Sequence, residues 1–352
     1  MRILILYHKT KQNSYTYFIL RSLVHLLSEK RFTVHQTTRF SEARQLSISN
    51  DNAVIVVELN KRLLSFMDRM NLNFLLKKQR IQQLVQITNG NAFSTRLPSL
   101  LVTDDIENSA FKKRALPFEK YAVCSEAAKA KLIANFSLLN ENITVIPAAA
   151  EDSFQPLAWS EKQSVKMEYA QGKEYFLTSA EGKTAASLLA LLKAFSGFKK
   201  WQHSNMKFIV FGGVAFKKDK DWLHKFNTYK YREDVVFAGD ITEPEYIKLL
   251  AGAYLFIHTP KRDADVLPLL QAMKCSTPSL CFTTETVAEY AGAATLLTEA
   301  DNYEQLSEKL IVLYKDETLR SHLIEACAVQ SQHYTKENTL HLLEDALLKK
   351  EV

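Results

Sequence analysis

Glycine is scarce in this chain: nine residues in 352, with Gly90 alone among the first 150. A dinucleotide-binding turn needs glycines so that the backbone can approach a pyrophosphate. The apolar run at residues 1–7 is followed by His8-Lys-Thr-Lys-Gln-Asn13, which has none. That argues against a Rossmann-type nucleotide grip in the first domain. Cysteine is also sparse. Cys124, Cys275, Cys281 and Cys327 stand far apart, with no Cys-x-x-Cys pair. The spacing excludes a zinc site or a disulfide framework and predicts reduced, buried thiols in a cytoplasmic protein. No apolar run reaches the roughly 18 residues of a membrane-spanning helix. Residues 1–7 are too short for a signal peptide, carry no small-residue cleavage site, and read as a strand.

What is present is a regular alternation. Short apolar runs rich in β-branched residues fall near 2–7, 32–36, 53–58, 99–103, 120–124 and 143–146. In the second half they fall near 174–179, 207–211, 234–238, 254–258, 278–282 and 294–297. Helical patterns lie between them, at 14–29, about 61–80, 126–136, 185–198, 243–251, 267–274, 302–315 and 316–332. Strand–helix alternation predicts parallel sheets with helices on both faces. Two sets of about six strands predict two doubly wound α/β domains, because one sheet of that width would be unusual. The polar stretch 147–173, with Pro147, Pro156 and Gly172, reads as the interdomain linker. The expected domains are 1–160 and 161–335, with an amphipathic helix in 336–352 packing back on the first. Thr242 and Glu245 form a capping box, and Gly252 reads as the stop of that helix.

Charge is uneven. Residues 1–150 hold 21 Lys and Arg against 11 Asp and Glu, and the remainder holds 24 against 28. A basic half points to an anionic partner, whether a membrane surface, an acidic glycan or a nucleic acid; the alternative is a solvated surface with no partner. No sequence-specific nucleic-acid motif is present. The segment 61–80 carries Leu63, Phe66, Met67, Met70 and Phe74 at helical spacing among six cations. It reads as a helix burying that stripe in its own core, or as one lying on anionic lipid.

Ligands of open α/β sheets sit beyond the carboxyl ends of the strands. There, Gly212-Gly213 followed by Lys217 and Lys218 has the chemistry to hold a diphosphate; the plainer reading is a turn. His258-Thr-Pro-Lys-Arg-Asp-Ala-Asp265 is a polar loop leading into a helix, with Asp265 as its N-cap. Asp263-Ala-Asp265 imitates a metal-binding Asp-x-Asp pair, a pattern too short to be specific.

Several segments together resemble the retaining GT-B glycosyltransferases of family four. They are Tyr121-Ala-Val-Cys-Ser125, Ile143-Thr-Val-Ile-Pro147, Tyr175-Phe-Leu177 with Leu188 to Phe195, Val235-Val-Phe-Ala-Gly239, Pro268-Leu-Leu-Gln-Ala-Met273, Thr277-Pro278 and Ala288-Glu-Tyr-Ala-Gly292. The resemblance spans roughly 118–340. It implies two Rossmann-like domains facing a cleft, and metal-independent transfer of a sugar from a nucleotide-sugar to a glycan or lipid-linked acceptor, with no cofactor. The family's Glu-Gly-Phe-Gly-Leu-Pro-x-Leu-Glu loop reads Asp263-Ala-Asp-Val-Leu-Pro-Leu-Leu-Gln271 here. The resemblance places Asp263 near the donor sugar and Gln271 on the ribose, where a neutral amide has one acceptor oxygen in place of two. The family's basic pair aligns with Ala185 and Ala186, so the diphosphate is expected at Gly212, Gly213 and Lys183 or Lys217. The catalytic histidine of the first domain falls near Asp104. Loss of the basic pair, the loop glycines and the second acid leaves an alternative: an inactive glycosyltransferase-fold protein serving as a binding partner or scaffold. Peripheral contact of the basic first domain with the inner face of a membrane is a further expectation.

Overall fold

In the computed structural model, residues 1–8, 14–38, 42–43, 46, 48, 52–59, 66–88, 97–103, 118–213 and 219–348 are described, with 8 and 66–71 by backbone only. The chain divides into two units, one of Met1–Ala149, Arg262–Leu267 and Tyr334–Val352, the other of Ala150–Lys261 and Pro268–His333.

The first unit opens with β1 (Arg2–His8), α1 (Tyr15–Glu29), β2 (Thr33–Thr37), β3 (Ala53–Leu59), α2 (Phe66–Lys78), β4 (Gln83–Ile87), β5 (Ser99–Val102), β6 (Lys120–Val123), α3 (Glu126–Phe136) and β7 (Ile143–Val145). The strands form one parallel sheet in the order β2-β3-β1-β4-β5-β6-β7. Its interior strands are buried along nearly their whole length, as a sheet covered on both faces requires. β4 has no counterpart among the sequence-predicted strands. Two of its five residues are glutamine, yet Gln86 is buried and β4 pairs with both β1 and β5. Polar side chains hid a central strand.

α2 turns Leu72 and Leu75 into the core, packed with Leu4, Leu6, Ile55 and Val57. Phe74, the one member of the expected apolar stripe whose side chain is described, is exposed. The i, i+3 pair that faces the sheet therefore runs through Leu72 and Leu75, not through the predicted set. The rest of the stripe lies outside the described side chains.

The second unit holds α4 (Trp159–Ala170), β8 (Tyr175–Ser179), α5 (Ala185–Gln202), β9 (Lys207–Phe211), α6 (Lys220–Asn227), β10 (Val235–Gly239), α7 (Glu243–Gly252), β11 (Leu255–His258), α8 (Leu267–Lys274), β12 (Ser279–Phe282), α9 (Glu285–Ala291), β13 (Thr295–Thr298), α10 (Tyr303–Lys315) and α11 (Glu317–Ser331). Its parallel sheet runs β10-β9-β8-β11-β12-β13. Strand alternation supplies two cores. Phe176, Phe208 and Val210 pack with Leu188, Phe195, Leu306 and Leu310 on one face. Tyr175, Leu177, Ile209 and Phe211 pack with Val165, Tyr246 and Leu249 on the other.

Much of the expected linker is part of this unit. Phe154 is 1% exposed within the second core, and Trp159–Ala170 is a helix. The boundary falls between Ala149 and Ala150, earlier than 160/161, because burial of Phe154 ties the stretch to the second sheet. The final helix, α12 (Lys336–Leu348), groups with the first unit. Lys30 pairs with Glu344, Thr339 Oγ1 donates to Pro147 O at 2.8 Å, and Gln83 Nε2 donates to Leu347 O at 3.1 Å.

Gly252 is the last residue of α7, followed by Ala253 in extended backbone, and its φ is not in the left-handed region. It does not cap the helix by conformation. A Cβ there would lie 2.8 Å from Tyr175 Oη and 3.2 Å from Val165 Cγ1, so close packing explains the glycine. Half of the expected capping box forms: the Glu245 carboxylate accepts from Thr242 N at 2.7 Å and from Thr242 Oγ1 at 2.7 Å, which pulls its pKa below the usual carboxylate range, while the Thr242 hydroxyl caps no helix amide.

Candidate functional site

In the second sheet β8 lies between β9 and β11, so the chain winds outward from it in both directions. That strand order makes the carboxyl ends of β8 and β11 the switch point, where doubly wound sheets open a crevice for ligands. Two loops emerge there: 180–184 after β8 and 259–266 after β11.

The first loop is tightly built. Ser179 Oγ accepts from Glu181 N at 3.0 Å, and Lys183 N donates to Ala180 O at 3.1 Å. Thr184 caps α5: its Oγ1 accepts from Ser187 N at 3.1 Å, while Ser187 Oγ accepts from Thr184 N at 2.9 Å. The eighteen-residue α5 thus starts at the switch point with Ala185 and Ala186 in its first turn, and Lys183 sits two residues before it. Its N-terminal dipole favours an anion.

Gly212 and Gly213 follow β9 with φ of +72° and +52°, a region that disfavours other residues. Their amides are already engaged. Gly212 N donates to Gly239 O at 2.7 Å, and Gly213 N donates to Asp240 Oδ1 at 3.2 Å. A Cβ on Gly212 would stand 3.1 Å from Glu181 Cγ. The pair is a turn held against the neighbouring strand and loop, flanked by two carboxylates, Glu181 and Asp240. Neither acid was weighed in the sequence reading. Lys217, like Asp104 of the first domain, lies outside the described residues.

Gln271, on α8, is only 4% exposed. Its Oε1 accepts from Tyr246 Oη at 3.0 Å, and Tyr246 packs against Phe154 and Phe211 at 5.8 and 4.9 Å between ring centroids. Burial raises the Tyr246 phenol well above its ordinary pKa, so it stays a donor. Half of the acceptor capacity of the Gln271 oxygen is spent inside the protein.

The 262–267 segment groups with the first unit. Within it Asp263 Oδ2 pairs with Lys131 Nζ of α3 at 3.0 Å, each side chain about a quarter exposed (26% and 23%). Arg262 pairs with Asp265, whose N–H donates to Arg262 O at 3.1 Å. Both acids of the loop therefore carry cationic partners. The structure brings Gly212 and Gly213 beside the loop that carries Lys183; Gln271 is tied to Tyr246 instead, and Asp263 to Lys131.

The first unit adds a pair that sequence reading missed. Tyr7 and Glu58 stand opposite each other in the β1–β3 register, and Tyr7 Oη donates to Glu58 Oε2 at 2.9 Å. The only sequence signal was polar residues at the ends of two apolar strands.

Solved structures share this architecture along the whole chain. A glycosyltransferase from Rickettsia africae superposes with a TM-score of 0.75 at 13% identity, covering 99% of each chain. HepE from Anabaena, solved with UDP and glucose, gives 0.76 at 13% identity, again covering 99% of each. The fold is therefore GT-B, built of two Rossmann-like α/β domains. Residues 160–329, just under half of the chain, match the family of glycosyl transferases group 1, so the second unit carries the domain of that family. The serotype-specific mannosyltransferase WbdA of Escherichia coli is 21% identical over 221 residues, which are 62% of this chain and 27% of WbdA. The matched stretch thus spans about a quarter of that relative's length.

Proposed function

We propose that this protein is a glycosyltransferase that moves a sugar from a nucleotide-sugar to a glycan or lipid-linked acceptor, without a metal. The observation that carries the reading is the start of α5, with Lys183, at the switch point of a group 1 domain. The diphosphate meets the first turn of α5 and Lys183, since the Gly212 and Gly213 amides already have acceptors. Charge developing on the leaving group is stabilised by that dipole and ammonium. Gln271 contributes to ribose binding no more than its remaining lone pair allows. HepE was solved with UDP and glucose, and WbdA is a mannosyltransferase, so UDP- and GDP-linked sugars are the first probes.

A thermal-shift panel of UDP-, GDP- and ADP-sugars tests this. A donor at about 100 times its Kd stabilises the folded state by roughly 2.7 kcal/mol, which such an assay detects. No shift with any donor refutes the reading and leaves a non-catalytic partner or scaffold of the same fold. The proposal includes a cytoplasmic protein whose basic first unit touches the inner face of a membrane: α2 exposes Phe74 beside Lys77 and Lys78. Failure to sediment with anionic vesicles at low salt removes that part.

A further inference from the structure

Tyr7, Glu58 and Gln36 are the penultimate residues of β1, β3 and β2, three neighbouring strands of the first sheet. They lie at its carboxyl edge, the edge at which sheets of this class receive ligands. Parallel register puts Tyr7 and Glu58 on the same face. Gln36, which pairs with Val56 two residues before Glu58, shares that face. The phenol donates to Glu58 Oε2 at 2.9 Å and is hydrogen-bonded by the Gln36 side chain. Burial and the adjacent carboxylate push its pKa up to about 12, so the donor is present at every physiological pH. One Glu58 oxygen is thereby fixed. Among the described residues, Oε1 has no hydrogen-bond partner.

A half-buried carboxylate held by one oxygen presents an acceptor-only group to a ligand. An anionic ligand is repelled there, although residues 1–150 carry an excess of cations. A metal ion needs more ligands than one carboxylate, and no group of three His, Cys, Asp or Glu suited to one occurs among the described residues. A neutral sugar suits such a group, because it brings adjacent hydroxyl donors. We propose that Glu58, oriented by Tyr7, binds hydroxyl groups of a neutral sugar at the carboxyl edge of the first sheet. Its role as the acceptor contact rests on the transferase reading; the binding itself does not.

The experiment is saturation-transfer NMR on the full chain with three probes: methyl α-D-mannopyranoside, methyl α-D-glucopyranoside and methyl α-D-galactopyranoside. At least one binds the wild type. Glu58→Gln weakens it about fivefold or more, because hydrogen bonds to an ionised acceptor are roughly twice as strong as neutral ones. The amide oxygen still accepts from Tyr7, so the melting temperature stays put. Tyr7→Phe releases the carboxylate and weakens binding about twofold, a second variant should Glu58→Gln fold poorly. Binding of none of the three sugars, or equal binding by wild type and Glu58→Gln, overturns the proposal. Donor-induced thermal shifts, measured on the same samples, report separately on the transferase reading.

Discussion

Replacing Gly252 by alanine is expected to destabilise the second unit, although glycine-to-alanine at a helical position normally helps. The gain from helix propensity and a less flexible unfolded chain is about 0.5–1 kcal/mol. Against it stands the new methyl, 2.8 Å from Tyr175 Oη and 3.2 Å from Val165 Cγ1. Neither neighbour gives way freely. Tyr175 is fully buried and its hydroxyl donates to Leu249 O at 2.7 Å, so swinging it aside breaks a buried hydrogen bond. Val165 is β-branched and stiff at χ1. Overpacking of this kind costs about 1–3 kcal/mol, which leaves a net loss of about 1 kcal/mol at mid-range. Tyr175→Phe alone deprives Leu249 O of a donor and costs about 1 kcal/mol. In the double variant the methyl occupies the vacated space, so the second change costs nothing further and the cycle shows a coupling of about 1 kcal/mol. All three tryptophans, Trp159, Trp201 and Trp222, lie in the second unit, so their fluorescence during urea unfolding reports on it selectively. A neutral or stabilising Gly252→Ala, or strictly additive single variants, refutes the steric explanation.

Other consequences follow from buried charge and buried thiols. Asp234 is shared by Lys199 Nζ at 2.8 Å and Lys207 Nζ at 3.1 Å, with side chains only 5% and 11% exposed. Asp234→Asn strands two half-neutralised ammonium groups and lowers unfolding free energy by about 3 kcal/mol, whereas Lys199→Met, which leaves Asp234 paired with Lys207, costs less; urea titration ranks them, and the reverse order defeats the reasoning. All four cysteines are buried thiols outside any disulfide, so iodoacetamide at pH 8 leaves the folded chain unlabelled and modifies four sites after denaturation, as intact mass reads directly. Burial pushes the Cys275 and Cys327 thiols up to about 12 and raises Cys281 further. A raised folded pKa means the folded state holds its proton longer, so this contribution is complete below the unfolded thiol pKa of about 8.5 and is lost as pH rises toward 12. Stability measured from pH 7 to 11 therefore declines; a flat or rising profile contradicts it.

The second sheet was legible because each of its strands is a compact apolar run between helices, and each expected strand position is occupied. What escaped had the wrong surface statistics for its place. β4 carries Gln83 and Gln86 in the middle of a sheet, and α4 buries little but Val165, Lys166 and Ala170 while exposing Trp159 and Met167. Neither shows the period that marks a strand or an amphipathic helix. Pro156 and Gly172 then made α4 look like part of a linker, although they only flank it.

The site escaped for a different reason: partner choice is non-local. Gly212-Gly213 was recognisable as a turn from two residues. That its amides are spent on Gly239 and Asp240 depends on β10 lying beside β9, a fact of sheet order and not of local sequence. Gln271 was recognisable as a lost carboxylate. That its oxygen serves Tyr246 depends on α7 packing against α8 across twenty-five positions. The two facts act in one direction. Gln271→Glu would place a carboxylate in a site 4% exposed, where only the Tyr246 hydroxyl is known to donate to it, so the neutral amide is the species that position tolerates without a bound ligand. On the proposed reading, neither the glycine turn nor the ribose contact then supplies much of the donor affinity.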